Sequence, residues 1–171
     1  MHRFLFALLV FAAFAFTGCQ PKDPLDVKIS ASSPSDYNDW VGRHHPTLPL
    51  EVQQEFDRAF GKLMVDTGAK LGSTDTNKIQ NWLCTRLHGK TIRSVILEGY
   101  QVEADSIRIR MVVTSDNIVR LVQSSGAPDL SPDQVQRYTS ARTELEKAIE
   151  TLRSRLSEID AQVRRMSQGG R

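Results

Sequence analysis

Apolar residues recur along the last quarter of the chain with gaps that alternate between three and four positions, the spacing of a heptad repeat. The positions that follow this spacing are Val135, Tyr138, Arg142, Leu145, Ile149, Leu152, Leu156, Ile159, Val163 and Met166. Ser131 and Gln134 precede the repeat as the two members of a capping box, with Pro132 at the first helical position. The pattern therefore predicts one long helix that ends before Gly169.

A second repeat with the same spacing lies upstream of a turn at 124–129. Its members are Leu97, Tyr100, Ala104, Ile107, Met111, Thr114, Ile118 and Leu121. Folding one helix back on the other about this turn aligns the two apolar seams layer by layer. Thr114 and Arg142 then share one polar layer, which we interpret as a register-setting layer that reaches solvent. The sequence predicts a coiled-coil-like antiparallel helical hairpin over residues 91–168.

Two further features of the first arm follow from this register. Glu103 is expected to face Arg155 of the second arm, and Arg108 is expected to face Glu146. The first arm also has a second apolar edge, which we expect to receive the preceding helices. This edge consists of Val95, Val102, Ile109, Val112 and Val113.

Residues 106–123 also admit an alternative interpretation as a β-hairpin. Apolar residues alternate there with other residues, namely Ile107, Ile109, Met111 and Val113. However, Val112 and Val119 break the alternation, and the heptad spacing extends beyond both proposed strands. The helical interpretation is therefore favoured.

Three shorter helices are predicted upstream of the hairpin. Their start signals are Ser33–Pro34, Pro49, and Thr74 or Asp75. Apolar residues follow at helical spacing, and Trp40 and Trp82 are interpreted as core residues. The sequence thus predicts an all-α fold: a helical cluster over residues 33–90 and the hairpin form one domain over 33–168, and 169–171 is a tail.

Composition and charge narrow the class of protein. A chain of 171 residues with 40% hydrophobic and 25% charged residues is typical of one small globular domain. The formal net charge of +2 is too near balance to indicate a nucleic-acid partner.

Residues 1–18 have the organisation of a secretory signal peptide. A histidine and an arginine precede the apolar run 4–16, which is shorter than the roughly 20 residues of a membrane-spanning helix. This run leads into the segment Phe16-Thr17-Gly18-Cys19. The segment resembles the lipobox of bacterial lipoproteins, in which the signal is cut before the cysteine and the cysteine sulfur carries a diacylglycerol. The alternative is an ordinary secretory signal in which Cys19 is incidental.

The resemblance implies lipidation at Cys19, a membrane anchor and a place in the cell envelope. Gln20 stands where aspartate would retain a Gram-negative lipoprotein in the inner membrane, which favours the outer membrane, facing the periplasm. Residues 19–32 contain two prolines and end in serines, so we predict that they form a flexible lipidated tether.

A metal-site hypothesis concerns Cys84 and His88, which lie four residues apart on a predicted helix. His44 and His45 are candidates to complete such a site. The alternative interpretation is a surface histidine beside a partly covered cysteine. No catalytic constellation such as Gly-x-Ser-x-Gly or His-Glu-x-x-His occurs in the sequence, and we predict neither an enzyme nor a cofactor.

The sequence therefore favours a non-enzymatic interaction or scaffold module that holds an envelope protein near the membrane. One alternative is a periplasmic chaperone or stress sensor built on a helical hairpin, which rests on fold-level analogy. Another is metal binding through Cys84 and His88. Self-association into a homo-oligomer is left open.

Overall fold

The computed structural model describes residues 23–127 and 129–168. Within these ranges the chain forms five α-helices and no β-strand, so the predicted all-α class is confirmed. The helices are α1 (Pro34–His44), α2 (Leu50–Leu71), α3 (Thr76–Leu87), α4 (Ile92–Ser125) and α5 (Pro132–Gln168). Two short 3-10 turns lie at Pro24–Asp26 and His45–Thr47. No helix in the described ranges combines the length and the apolar character needed to cross a bilayer.

Helices α4 and α5 pack against each other as the predicted antiparallel hairpin. Every predicted seam residue of α4 is buried or half-buried, and on α5 only Val135 and Arg142 are exposed. Glu103 and Arg155 meet as expected, with 3.0 Å between Arg155 Nε and Glu103 Oε1. Residues 106–123 are helical, so the β-hairpin alternative is wrong.

The second predicted pair between the arms does not form. Arg108 instead pairs with Asp105 on its own helix at 2.7 Å, and Glu146 pairs with Arg142 at 2.7 Å. A partner three or four residues away on the same helix lies within reach whatever the register of the two arms. These local ion pairs therefore form in place of the pair between the arms. Arg142 reaches solvent with 54% of its side chain exposed. Thr114 is half-buried.

Side chains at the starts of α1, α3, α4 and α5 act as helix caps, and of Thr74 and Asp75 it is Asp75 that caps α3, whereas Pro49 before α2 makes no side-chain cap bond. The Ser33 hydroxyl accepts from the Asp36 N–H, and the Thr91 hydroxyl accepts from the Ser94 N–H. At α5 the predicted capping box closes in both directions: the Ser131 N–H donates to the Gln134 side-chain oxygen, and the Gln134 N–H donates to the Ser131 hydroxyl.

Residues 23–32, which we call the strap, are packed onto the domain rather than forming a flexible tether. Backbone hydrogen bonds join the strap to the α3–α4 loop: the Ile29 N–H donates to the Lys90 carbonyl at 2.8 Å, and the Gly89 N–H donates to the Ile29 carbonyl at 2.9 Å. Ile29 and Ala31 are buried, at 2% and 0% exposure. The Trp40 indole N–H donates to the Lys28 carbonyl at 2.9 Å. Burial of these alternate side chains overrides the flexibility expected from prolines and serines.

Helix α2 crosses α4 at a point where a glycine meets an alanine. A Cβ placed on Gly99 would lie 2.5 Å from the Ala59 Cβ and 2.6 Å from the Ala59 Cα. Carbon atoms that are not bonded to each other do not come this close, so only glycine allows the two backbones to approach as they do. Buried apolar residues of α2 and α4, such as Phe56, Leu63 and Ile96, surround the crossing.

Gly99→Ala tests this crossing. The added methyl group forces α2 and α4 apart, and we expect a loss of about 1–3 kcal/mol in the free energy of unfolding, measured by chemical denaturation. Gly61→Ala is the matched control, because a Cβ there meets nothing within 4 Å in the interior of α2. This control is expected to gain about 0.4–1 kcal/mol. Equal stability of the two variants would contradict a close backbone contact between α2 and α4 at Gly99.

Candidate functional site

The three N-terminal helices cover only the first half of α4. Val95 is buried and Val102 is half-buried, whereas Ile109, Val112 and Val113 are 65%, 61% and 53% exposed. The expectation that the whole second apolar edge receives these helices is therefore wrong. The physical reason is that α2 meets α4 near Gly99 and ends at Leu71. The half of the hairpin nearest the turn between α4 and α5, which we call the tip, therefore has no neighbour on this side.

A groove of about 750 Å³ opens where α2 and α4 separate beyond this crossing. The two sides contribute apolar residues to it, Val65 and Ala69 from α2 and Val102 and Ile109 from α4. Val65 is 75% exposed. Beyond the groove, α4 exposes Val112 and Val113, and we call this part of its surface the outer face of α4. Val113 also borders Ala148 and Leu152 of α5.

A buried carboxylate joins three helices at the side of the groove. Glu103 of α4 accepts from Lys62 of α2 and from Arg155 of α5, and its side chain is only 15% exposed. Burial alone would raise the pKa of the Glu103 carboxyl, but the hydrogen bonds from Lys62 and Arg155 outweigh it, so this pKa lies below its ordinary value. Glu103 is therefore ionised, and its two ion pairs join α2 to both arms of the hairpin. We call such a charged contact between elements a tie.

A second tie lies at the end of the hairpin where α4 begins and α5 ends, which we call its base. The Arg93 side chain, 13% exposed, pairs with Asp23 and Asp26 of the strap. Its Nη1 donates to the Met166 carbonyl of α5 at 2.6 Å. One guanidinium thus joins the first described residues of the chain to the start of α4 and the end of α5.

The candidate metal ligands Cys84 and His88 are both engaged in the fold. Cys84 is fully buried at 0% exposure, and burial raises the pKa of its thiol. His88 Nδ1 accepts from the Ala31 N–H of the strap at 3.1 Å. Cys84 is thus neither accessible, as metal binding requires, nor only partly covered, as in the alternative interpretation, whereas the surface histidine of that alternative is confirmed because His88 is exposed. The Cys84 side chain is enclosed by the core. Its thiol is shielded from solvent and stays protonated, which is unfavourable for binding metal.

The histidine pair has other neighbours. His45 Nε2 lies 3.0 Å from an oxygen of Asp57, and the ring of His44 lies 5.4 Å from that of Trp40. Among residues 23–127 and 129–168, no group of three or more His, Cys, Asp or Glu residues is placed to hold a metal ion.

The two tryptophans differ in burial. Trp40 is a core residue at 2% exposure, as predicted. Trp82 is 42% exposed, with the Arg86 guanidinium 5.4 Å from its ring centre, so its assignment to the core is wrong. Cys19 lies outside the residues that the structure describes.

Comparisons of the chain with protein-family models, with curated proteins and with solved structures found no match. The surface must therefore be interpreted from its own geometry. Apolar side chains that remain exposed in one continuous patch are typical of sites that bind another protein. The sequence signal for this site was Val65 together with Ile109 and Val112, which lie outside the apolar face that each helix uses for packing.

Glu103→Gln tests the buried tie. Because the folded-state pKa lies below the ordinary value of 4.5, the stabilisation from ionised Glu103 is present above about pH 4.5 and is lost as pH falls through the folded-state pKa. We expect the variant to unfold about 1–3 kcal/mol more easily at pH 7 and the difference from the parent to shrink on acidification, measured by denaturation across pH. Glu150→Gln, in an exposed pair with Arg153, is the control and should change little. A difference that stays constant with pH would contradict the assignment.

Proposed function

We propose that this protein is a lipid-anchored lipoprotein of the bacterial cell envelope whose hairpin holds a protein partner at a distance from the membrane. The observation that carries the proposal is the position of the Arg93 tie. It fixes the strap, which begins four residues after Cys19, against the base of the hairpin. An acyl group on Cys19 would therefore place the base, and not the tip, at the bilayer.

The length of the hairpin gives the reach of such a module. Helix α4 has 34 residues, which corresponds to about 50 Å at 1.5 Å per residue. The strap adds no slack, because its backbone is hydrogen-bonded to the α3–α4 loop. The groove and the outer face of α4 lie in the middle and tipward parts of this rod, so a partner bound there would be held clear of the lipid head groups.

The same geometry favours a binding role over metal handling. Cys84 and His88 are engaged within the fold, which removes support for metal handling. The exposed apolar row on α4 has a defined place beside the groove, as expected for a surface that accepts a protein partner. The described helices supply this surface from rigid elements rather than loops, and a rigid surface favours defined partners.

Cys19→Ser tests the anchor. We expect the parent to incorporate radiolabelled fatty acid and to sediment with membranes, and the variant to lose both properties, because the acyl-bearing sulfur is gone. Cys84→Ser is the control, and it should keep the label. Membrane sedimentation of the Cys19→Ser variant equal to that of the parent would contradict lipid anchoring.

The orientation of the hairpin is tested by energy transfer to acceptor dyes in the lipid. A donor dye is attached either near the base at Gln168→Cys or near the tip at Gln123→Cys; both positions are exposed. We expect strong quenching of the base donor and weak quenching of the tip donor, since about 50 Å separates the two ends. Equal quenching would mean that the hairpin lies flat on the membrane.

A further inference from the structure

Apolar residues of α4 outside the seam form one row, apart from which lies the exposed Val122. The row consists of the half-buried Val102 and of the exposed Ile109, Val112, Val113 and Val119. Val112 and Val113 are neighbours in sequence and form its two edges, and the steps to the other members are of three, four or seven residues. From Val102 to Val119 the row is about 25 Å long at 1.5 Å per residue. Val65 and Ala69 of α2 form a parallel apolar border at its lower end. This shape matches the footprint of one helix lying alongside α4.

The charges beside this row leave a positive surplus, because three arginines without an ion pair in the described chain face one carboxylate without an ion pair there, the exposed Asp116 of α4. The acidic residues that line the groove are already paired: Asp66 with Lys70, Glu103 with Arg155, and Asp105 with Arg108. By contrast, Arg58, Arg110 and Arg120 form no ion pair with any residue that the structure describes. Arg58 and Arg110 lie on the two sides of the groove, and Arg120 follows Val119 at the tipward end of the row. A ligand therefore meets guanidinium groups without internal carboxylate partners.

A second copy of the chain fits these charges poorly. Parallel pairing of two α4 helices places Arg110 and Arg120 beside their own copies. Antiparallel pairing with Ile109 opposite Val119 places Arg108 opposite Arg120, whereas pairing with Val113 opposite Val113 places Arg110 opposite Asp116. Either way both copies bring the same positive surplus to the contact, which opposes association, whereas carboxylates on a different partner would complement it.

We infer that the groove and the outer face of α4 bind an amphipathic helix of a partner protein whose apolar stripe is bordered by aspartate or glutamate. The apolar stripe packs on Val65, Ile109 and Val113, and the carboxylates pair with Arg58 and Arg110. The inference rests on one part of the proposed function, namely that the hairpin acts by binding a protein. It does not depend on the lipid anchor.

Two designed helical peptides test the inference. Both are about 18 residues long and carry leucines at i, i+3, i+4 and i+7; one carries glutamates beside the leucines and the other lysines. Each is labelled with fluorescein and titrated with the full chain in zwitterionic lipid nanodiscs, with empty nanodiscs subtracted, and anisotropy gives the Kd. We expect the acidic peptide to bind at least about fivefold more tightly than the basic one.

Matched variants locate the binding. The double substitution Arg58→Glu and Arg110→Glu is expected to weaken binding of the acidic peptide about fivefold or more and to strengthen binding of the basic one. Val113→Ser is expected to weaken binding of both. Arg137→Glu, on the exposed surface of α5, should change neither. All these positions are exposed, so circular dichroism should show an unchanged fold.

Three outcomes overturn the inference. Equal Kd values for the two peptides would show that charge does not select the partner. Binding unaffected by Val113→Ser would place the site elsewhere. Concentration-dependent dimerisation of the full chain that Val113→Ser abolishes would assign the face to a second copy. The Cys19→Ser chain is titrated in parallel: loss of its membrane attachment with retained peptide selectivity separates the anchor from the docking site.

Discussion

The close crossing of α2 over α4 is the constraint on which both the core and the candidate site depend. Gly99 and Ala59 let the two backbones approach so closely that the helices must separate on either side of the contact. Toward the base, the space between them is filled by apolar side chains such as Phe56 and Ile96. Toward the tip, nothing in the described chain fills it, and Ile109 remains exposed. One small-residue contact thus separates the buried half of α4 from the half available to a partner.

Electrostatic ties complement this apolar packing at two places. Arg93 joins the strap to both arms at the base, and Glu103 joins α2 to both arms beside the groove. Each tie places a mostly buried charge between partners from different elements, which offsets the cost of removing that charge from water. Because a misplaced helix would leave such a charge buried and unpaired, the two ties favour one arrangement of the elements.

The hairpin was predictable because the spacing of apolar residues in each seam depends on one helix alone and can be counted along the sequence. The same holds for the Ser33 and Ser131 caps, because a cap depends only on residues that are neighbours in sequence. The packing of the strap was not predicted, because its one proline and two serines are typical of a flexible segment, whereas its Val27, Ile29 and Ala31 alternate as in a strand. The coverage of Val95 but not Val112 depends on where α2 crosses and ends, and no pattern within α4 contains that information. Long-range partners such as Arg93 with Asp23 are likewise set by the assembled fold.

The complete enclosure of Cys84 determines when chemical reagents can reach its thiol. In the native domain this sulfur is shielded from oxidants and from thiol exchange. In a chain that has lost its core, the thiolate of Cys84 is free to attack a disulfide, which forms a mixed disulfide and releases the other sulfur of that disulfide as a thiol. Labelling of Cys84 by a disulfide reagent therefore distinguishes unfolded molecules from intact ones.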